Sequence, residues 1–576
     1  MEIAQNKREK ILKTIKEIKM NISDKETLDN LTLIESEMFK YGLVWEQHLE
    51  KIDEDIQSNV LSFEDLKNRE IVCDNNKYNF LIEGDNLQSL YLLNKTHHDK
   101  IDIIYIDPPY NTGKRSFVYK DNYEGNNDLY RHSKWLSFMS RRLEIAKELL
   151  KDSGVIFISI DDNELAQLKL LCDEIFNEEN YVAILSIENN PKGRKNSNFI
   201  SVSNEYCLIY AKNKSSIYFK ENIPKNIKDM YKDEKGRYIH NGGKRVLVGE
   251  NNFNANVENF NSDKHYSIYY NSDNNDMIVK KENTIKKIDQ QLIDKGYKRY
   301  YSYNEKGFVL NTYSANKLIE LFNNGALDFK NNKIYEKNFS TTTRLKSLVT
   351  NKEYTAVING EEKHFCLDVK TTSANKELSN ILGTNKVVFN NPKNVSLIKL
   401  LLTLVDNKNA VVLDFFAGSA TTGQAVLELN KEDGGNREFI LCTDNENNIC
   451  EDIAYQRLKT VMTGIRKDNS KYSSGMKANL KYYRCVSLEK TIDNLFNSIK
   501  MLLQLENGIN IDEQKIKVCF NEKQIEEIET NKYEKIYISS NITLTDEQRK
   551  KFEKTEICII PDHYFDDEMT IKAIKR

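Results

Sequence analysis

The sequence predicts an α/β fold in which a largely parallel sheet is built from two blocks of chain with a long insert between them. Three observations predict it. From Tyr78 to about Ile187, β-rich runs alternate with helical ones; the same alternation returns after about residue 377; and the stretch between is polar, Asn-rich and studded with Tyr. Strands alternating with helices are the pattern of parallel strands joined by crossover helices. A stretch that breaks the pattern between two matching halves reads as an insertion into one domain.

In the first block, YNFLIEG (78–84) reads as a strand, NLQSLYLLNKT (86–96) as a helix and IDIIYI (101–106) as a strand. WLSFMSRRLEIAKELLKD (135–152) follows as a helix and GVIFISI (154–160) as a strand. In the second block, VSLIKLLLTLV (395–405) is a helix, AVVLDFF (410–416) a strand, TTGQAVLELN (421–430) a helix, EFILCTD (438–444) a strand and NICEDIAYQRLKTVMTGI (448–465) a helix. Ahead of both, Ile11, Leu12, Ile15 and Ile18 recur at helix spacing, which predicts a helix packed on its own domain.

The 576 residues exceed one ordinary domain. With 84 basic and 87 acidic residues the formal charge is −3, so any nucleic-acid surface must be local. Nine cysteines lie scattered without a CxxC pair or a close Cys/His cluster, which argues against a zinc site and a disulfide framework. The charged start MEIAQNKREKILKTIKEIKM lacks a signal peptide's apolar core, and no run approaches the roughly 18 apolar residues of a membrane span, so a cytoplasmic protein without membrane contact is expected.

Two loops carry the chemistry. DPPYNTG (107–113) leaves the strand 101–106 as a stiff elbow, because proline fixes its own φ and biases the residue before it toward extended backbone. By itself that is also what a strand-ending turn needs. DFFAGSATTG (414–423) ends a buried strand in Asp414 and continues with small residues that let a ligand approach the backbone at the strand's carboxyl end. Neither GxGxxG nor GK[ST] is present, so a dinucleotide or triphosphate lacks its usual cradle. The Phe415-Phe416 pair suits instead a ligand with a flat ring and an amino-acid tail.

Together these motifs resemble the amino-methyltransferases of DNA, in which DPPY is the catalytic motif and DxFxGS-T-G the S-adenosylmethionine motif. The resemblance extends to IEGDNLQSL, to the stretch WLSFMSRRLEIAKELLKDSGVIFISIDDNE and to FNNPKNVSLIKLL. Asp107 precedes Asp414 by 307 residues, so the order is that of the circularly permuted class called beta. The length and the two terminal segments look most like the modification subunit of type III restriction-modification systems. The resemblance implies a Rossmann-like, circularly permuted methyltransferase fold. Its expected parts are a helical N-terminal extension (1–70), a catalytic half (71–187), a target-recognition insert (188–377), a cofactor half (378–470) and a C-terminal domain for dimerisation or partner binding (471–576).

The same resemblance assigns roles. Exocyclic adenine N6 is a poor nucleophile because its lone pair is delocalised into the ring. Acceptors aimed at its N–H groups favour the transition state, and Asp107, through its carboxylate, and Pro108, through its carbonyl, are those acceptors. Pro109 stiffens the loop, and Tyr110 offers a ring face to a base rotated out of the duplex. Asp414, Phe415, Phe416, Ala417, Gly418 and Ser419 surround the methionine part of S-adenosylmethionine, Asp85 lies near its adenine, and Lys393 covers the methionine end. The ribose-binding acid falls at Thr443, which leaves Asp444 as candidate with Glu446 behind it. Ala420 replaces a second glycine and is tolerated if its φ is negative. No metal site is expected.

Outside the motifs, Asp161 and Glu164 fit a capping box, and His97 and His98 read as a solvated loop pair. Residues 187–245 carry thirteen Lys/Arg against six Asp/Glu, and PKGRKNSNF suits close approach to phosphates, so this region is expected to touch double-stranded DNA. A homodimer and a separate restriction helicase-nuclease complete the expected assembly. Competing readings are an orphan adenine methyltransferase and a catalytically silent DNA-binding subunit. Cytosine-N4 enzymes commonly carry SPPY, which disfavours them here.

Overall fold

The computed structural model describes residues 50–73, 77–112, 131–193, 199–246, 261–282, 286–304, 307–330, 333–511, 514–529 and 532–566, with scattered positions between 14 and 31. The chain forms two compact units: Met1–Lys220 with Lys346–Asn351 and Leu367–Arg576, and Glu221–Leu345 with Lys352–Cys366.

The larger unit is organised on a ten-stranded sheet. In chain order its strands are β1 (Asn59–Asp65), β2 (Tyr78–Glu83), β3 (Ile101–Ile106), β4 (Leu150–Ile160), β5 (Tyr181–Ile187), β6 (Glu205–Ala211), β7 (Leu348–Val349), β8 (Val411–Asp414), β9 (Glu438–Thr443) and β10 (Asn479–Glu489). The spatial order is β1-β10-β2-β9-β8-β3-β4-β6-β5-β7, with β10 through β4 mutually parallel and β6 antiparallel to both its neighbours. β3 is buried at every position. β8 lies directly beside it, with Val412 opposite Ile103 and Leu413 opposite Ile104, so strands from the two distant blocks end side by side. Asp102 clamps their entry: its carboxylate accepts from Val411 N at 2.9 Å, Asn407 Nδ2 at 3.1 Å and Lys151 Nζ at 2.8 Å.

Among the described residues, the longer helices of the larger unit are α1 (Lys51–Ser58), α2 (Asn86–His97), α3 (Arg131–Leu149), α4 (Leu165–Phe176), α5 (Thr371–Leu382), α6 (Val395–Leu402), α7 (Thr421–Asp433), α8 (Tyr455–Thr463) and α9 (Ile492–Asn507). In α3, Trp135, Met139, Leu143 and Ala146 recur at helical spacing and are fully buried, which holds the helix on the sheet. The smaller unit has its own core, with Val246, Tyr266, Ile268, Leu318, Leu321 and Ile334 between short antiparallel sheets and Tyr270 stacked on Phe329 at 3.7 Å.

Three expected extents differ from this arrangement. Residues 1–70 are not helical throughout, since β1 is a sheet strand; Ile11 and Leu12 lie outside the described residues. The insert is shorter than 188–377: β6 and α5 belong to the larger unit. Residues 471–576 group with the larger unit, because β10 sits between β1 and β2 and Leu495, Ile499, Leu502 and Leu503 of α9 join the main core, while Ile516–Cys519, Lys535–Ser539 and Glu556–Ile560 form a small parallel sheet with a core of its own. The strand character of β10 is masked by Lys481, which is wholly buried and paired with Asp65 at 2.9 Å and Glu70 at 3.4 Å. His97, expected in solvent, is buried in the last turn of α2, where burial pushes its imidazole down to about 3.

Candidate active site

The loop after β3 is held from below. Fully buried Trp135 donates its indole N–H to Pro109 O at 2.7 Å, and Asn111, at φ +52°, donates from Nδ2 to Arg131 O at 3.2 Å and to Glu164 Oε1 at 2.5 Å. Glu164 also meets His132 Nδ1 at 2.7 Å. It therefore anchors the turn, and the expected capping box does not form: Asp161 accepts instead from Asn163 N and Nδ2.

Above this support stands a compact charged group. Lys393 Nζ is 3.3 Å from Asp107 Oδ1, 2.8 Å from Glu205 Oε1 and 2.5 Å from Tyr110 Oη, and 5.0 Å from the centre of the Tyr110 ring. Asp107 Oδ1 is sealed from solvent and faces the Lys393 ammonium. Burial raises the Asp107 carboxyl above its ordinary range, Lys393 opposes the rise and Glu205 adds to it. Burial works against the Lys393 charge, but Asp107 and Glu205 outweigh it and hold the ammonium above its usual value. Thus Lys393, expected at the methionine end of a cofactor, has its ammonium among Asp107, Tyr110 and Glu205.

The second loop leaves β8, beside β3. Asp414 is buried and folds back on the loop, accepting from Phe416 N at 3.0 Å and Thr422 Oγ1 at 2.5 Å; burial raises its carboxyl to about 7. Phe415 is buried, and Phe416, partly exposed, lies 5.3 Å from it and 5.9 Å from Phe138. Ala417 N donates to Cys442 O of β9 at 3.1 Å, and Asn86 Nδ2 to Phe415 O at 3.0 Å. At Gly418 φ is +48°, and a Cβ would stand 3.1 Å from Phe389 Cζ, so glycine suits both the left-handed backbone and the close approach of that ring. Ala420 also has positive φ, +59°, against the expectation of a negative one; the turn that starts α7, closed by Ala420 N to Ala417 O at 2.7 Å, imposes it.

Asp85 and Asp444 follow the carboxyl ends of β2 and β9, on the edge that carries both loops. Asp85 caps α2, accepting from Leu87 N at 2.8 Å, and lies 3.6 Å from Arg142. Asp444 is exposed and accepts from Glu446 N at 3.0 Å.

Sequence reasoning missed two buried residues. Arg457 of α8 runs under the second loop and donates to Ser419 O at 3.2 Å, Ser419 Oγ at 3.1 Å, Thr421 Oγ1 at 2.7 Å and Gln424 Oε1 at 2.8 Å. Burial lowers its guanidinium to about 10, against the pull of Glu377 and Glu428. Glu205 opens β6. Neither stands in a motif; each is one charge in a run of ordinary composition.

Parallel strands β3 and β8 thus deliver an Asp-Pro-Pro-Tyr elbow and a glycine-containing loop to adjacent positions. The chain belongs to the DNA methylase family, whose model matches residues 101–456. It is 32% identical to the type III restriction-modification enzyme StyLTI Mod subunit of Salmonella typhimurium, over 75% of this chain and 64% of that one. It is 34% identical to the EcoPI Mod subunit of Escherichia phage P1, over 64% of this chain and 58% of that one. The chain thus spans about three fifths of the length of these Mod subunits. To the type II methyltransferase M.KpnI of Klebsiella pneumoniae it is 31% identical, over 69% of this chain and 88% of that one. Among the described residues no helix is long and apolar enough to cross a membrane.

Proposed function

We propose that the protein methylates adenine N6 at specific sites in double-stranded DNA, as the modification and recognition subunit of a type III restriction-modification system. The observation that carries this is the meeting of two loops: Asp107 and Asp414 end adjacent parallel strands, β3 and β8, of one sheet. The likeness to two type III Mod subunits supports the system assigned; a restriction helicase-nuclease as partner, a homodimer as assembly and the cytoplasm as location complete the proposal.

The second loop suits S-adenosylmethionine, since its small residues follow Asp414 at the carboxyl end of β8 and Arg457 braces Ser419 from the buried side. Asp414 through Ser419 would hold it, with Asp85 and Asp444 along the same sheet edge. When bound, it supplies the methyl group. On the chain's side, Asp107 and the Pro108 carbonyl accept from the adenine amino group, which concentrates its lone pair toward the methyl donor. Trp135 fixes the loop through Pro109, and the Tyr110 ring stacks on the extruded base.

Modification-sensitive sequencing of DNA from cells expressing the chain tests this, with N6-methyladenine at one recurring sequence as the expected result. Asp107→Ala should lower the single-turnover rate by about 10²- to 10³-fold while keeping most cofactor affinity. Unmodified DNA from the wild type, or full transfer by Asp107→Ala, overturns the reading. The 88% coverage of the type II methyltransferase favours a second reading, an enzyme without a restriction partner. Co-purification of a helicase-nuclease from the native host separates the two.

A further inference from the structure

We propose that Glu205 is a positioning residue of the proposed methyl-transfer site: its ion pair with Lys393 fixes where that ammonium stands against Asp107 and Tyr110. This inference rests on the methyltransferase reading and deepens it.

The topology brings Glu205 there. β6 runs antiparallel to β4, with Tyr206 opposite Ile160, so the first residue of β6 arrives at the edge where the parallel strands end. Glu205 is 4% exposed and its carboxylate takes two contacts, Lys393 Nζ at 2.8 Å and Tyr110 Oη at 3.4 Å. Two carboxylates therefore share one ammonium, and Glu205 is the nearer of the two to it. Lys393 stands 3.3 Å from Asp107 Oδ1, close enough to favour its charge, while Glu205 holds the ammonium at the shorter distance. Oδ1 is sealed against the ammonium while the Asp107 side chain as a whole is 27% exposed, so the acceptor left to an incoming amino group is Oδ2. A neutral side chain at 205 would release the ammonium to Asp107, where it would occupy the acceptor the reaction needs.

The same geometry sets a pH dependence. The titratable groups around Asp107 are Lys393, Glu205, Tyr110, Tyr105, Cys207 and Asp414. Burial pushes Tyr105, Tyr110 and Cys207 upward, so they stay neutral near pH 7. Asp414 is common to wild type and variant. Removing the Glu205 charge removes an influence that raises the Asp107 carboxyl and frees Lys393 to lower it further. The acid limb of the rate profile therefore moves to lower pH.

The test is single-turnover methylation of site-containing duplex DNA by the full chain, wild type and Glu205→Gln, across pH, with cofactor affinity and thermal midpoint measured alongside. The expected result is a rate lower by about 10- to 100-fold, an acid limb displaced downward by about one pH unit and unchanged cofactor affinity. A folded Glu205→Gln with wild-type rate overturns the proposal. So does a lower rate with an unmoved limb, which would mark Glu205 as packing alone. If Glu205→Gln does not fold, Glu205→Asp keeps the charge one methylene shorter: a reduced rate is expected, and a wild-type rate overturns the proposal. Absence of methyl transfer by the wild-type chain defeats the functional reading itself.

Discussion

At the scale of single residues, Asp414 carries a stability cost that pH exposes. Its carboxyl is buried and raised to about 7, against a value near 3.9 in an unfolded chain. Between these values the folded chain holds a proton that the unfolded chain has released. Its contribution is full below about pH 4 and is lost as pH rises through about 7. The predicted loss is on the order of 4 kcal/mol at most. Asp414→Asn keeps an acceptor for Phe416 N and does not titrate, so it should flatten the dependence and leave the ligand-free protein more stable than wild type above pH 7. Urea midpoints at about pH 5 and pH 8 measure this. A slope identical in both proteins would assign the dependence to another group.

At the scale of an element, the start of α7 concentrates backbone strain. Gly418 and Ala420 both have positive φ, and the Ala420 methyl is fully buried. Glycine at 420 would relieve about 1 kcal/mol of left-handed strain but lose about 0.8 kcal/mol of methyl burial and gain unfolded-state freedom. Ala420→Gly is therefore expected to leave stability within about 1 kcal/mol of wild type. Ala420→Val adds branching in a region β-branched residues avoid, and extra volume in a packed site, so a loss above about 2 kcal/mol is expected. Chemical denaturation of both variants checks the pair; equal midpoints would mean that the turn relaxes.

At the scale of the whole molecule, the larger unit is discontinuous in sequence. β5, β6 and α5 flank the smaller unit in sequence but belong to the larger one. We expect the smaller unit to choose the DNA sequence, so exchanging 221–345 and 352–366 for the matching insert of a Mod subunit with another specificity should move methylation to a new site. An active chimera with the original specificity places recognition elsewhere. An exchange cut at 188 and 377 would remove β6, and Glu205 with it, and should lose activity outright. Part of the basic run expected to meet phosphates, 194–198, lies outside the described residues.

The sequence by itself determined the α/β class, most elements of the two blocks and the two loops, because these depend on local pattern: apolar runs of strand length, the stiffness of Pro108-Pro109 and the small side chains after Asp414. It did not determine which distant residues support the loops. That Glu205 meets Lys393, that Arg457 lies under Ser419 and that β10 enters the sheet through a paired, buried Lys481 were decided by tertiary structure. A buried charge is permitted only by a partner, and the partners here lie far along the chain, where periodicity and composition carry no signal.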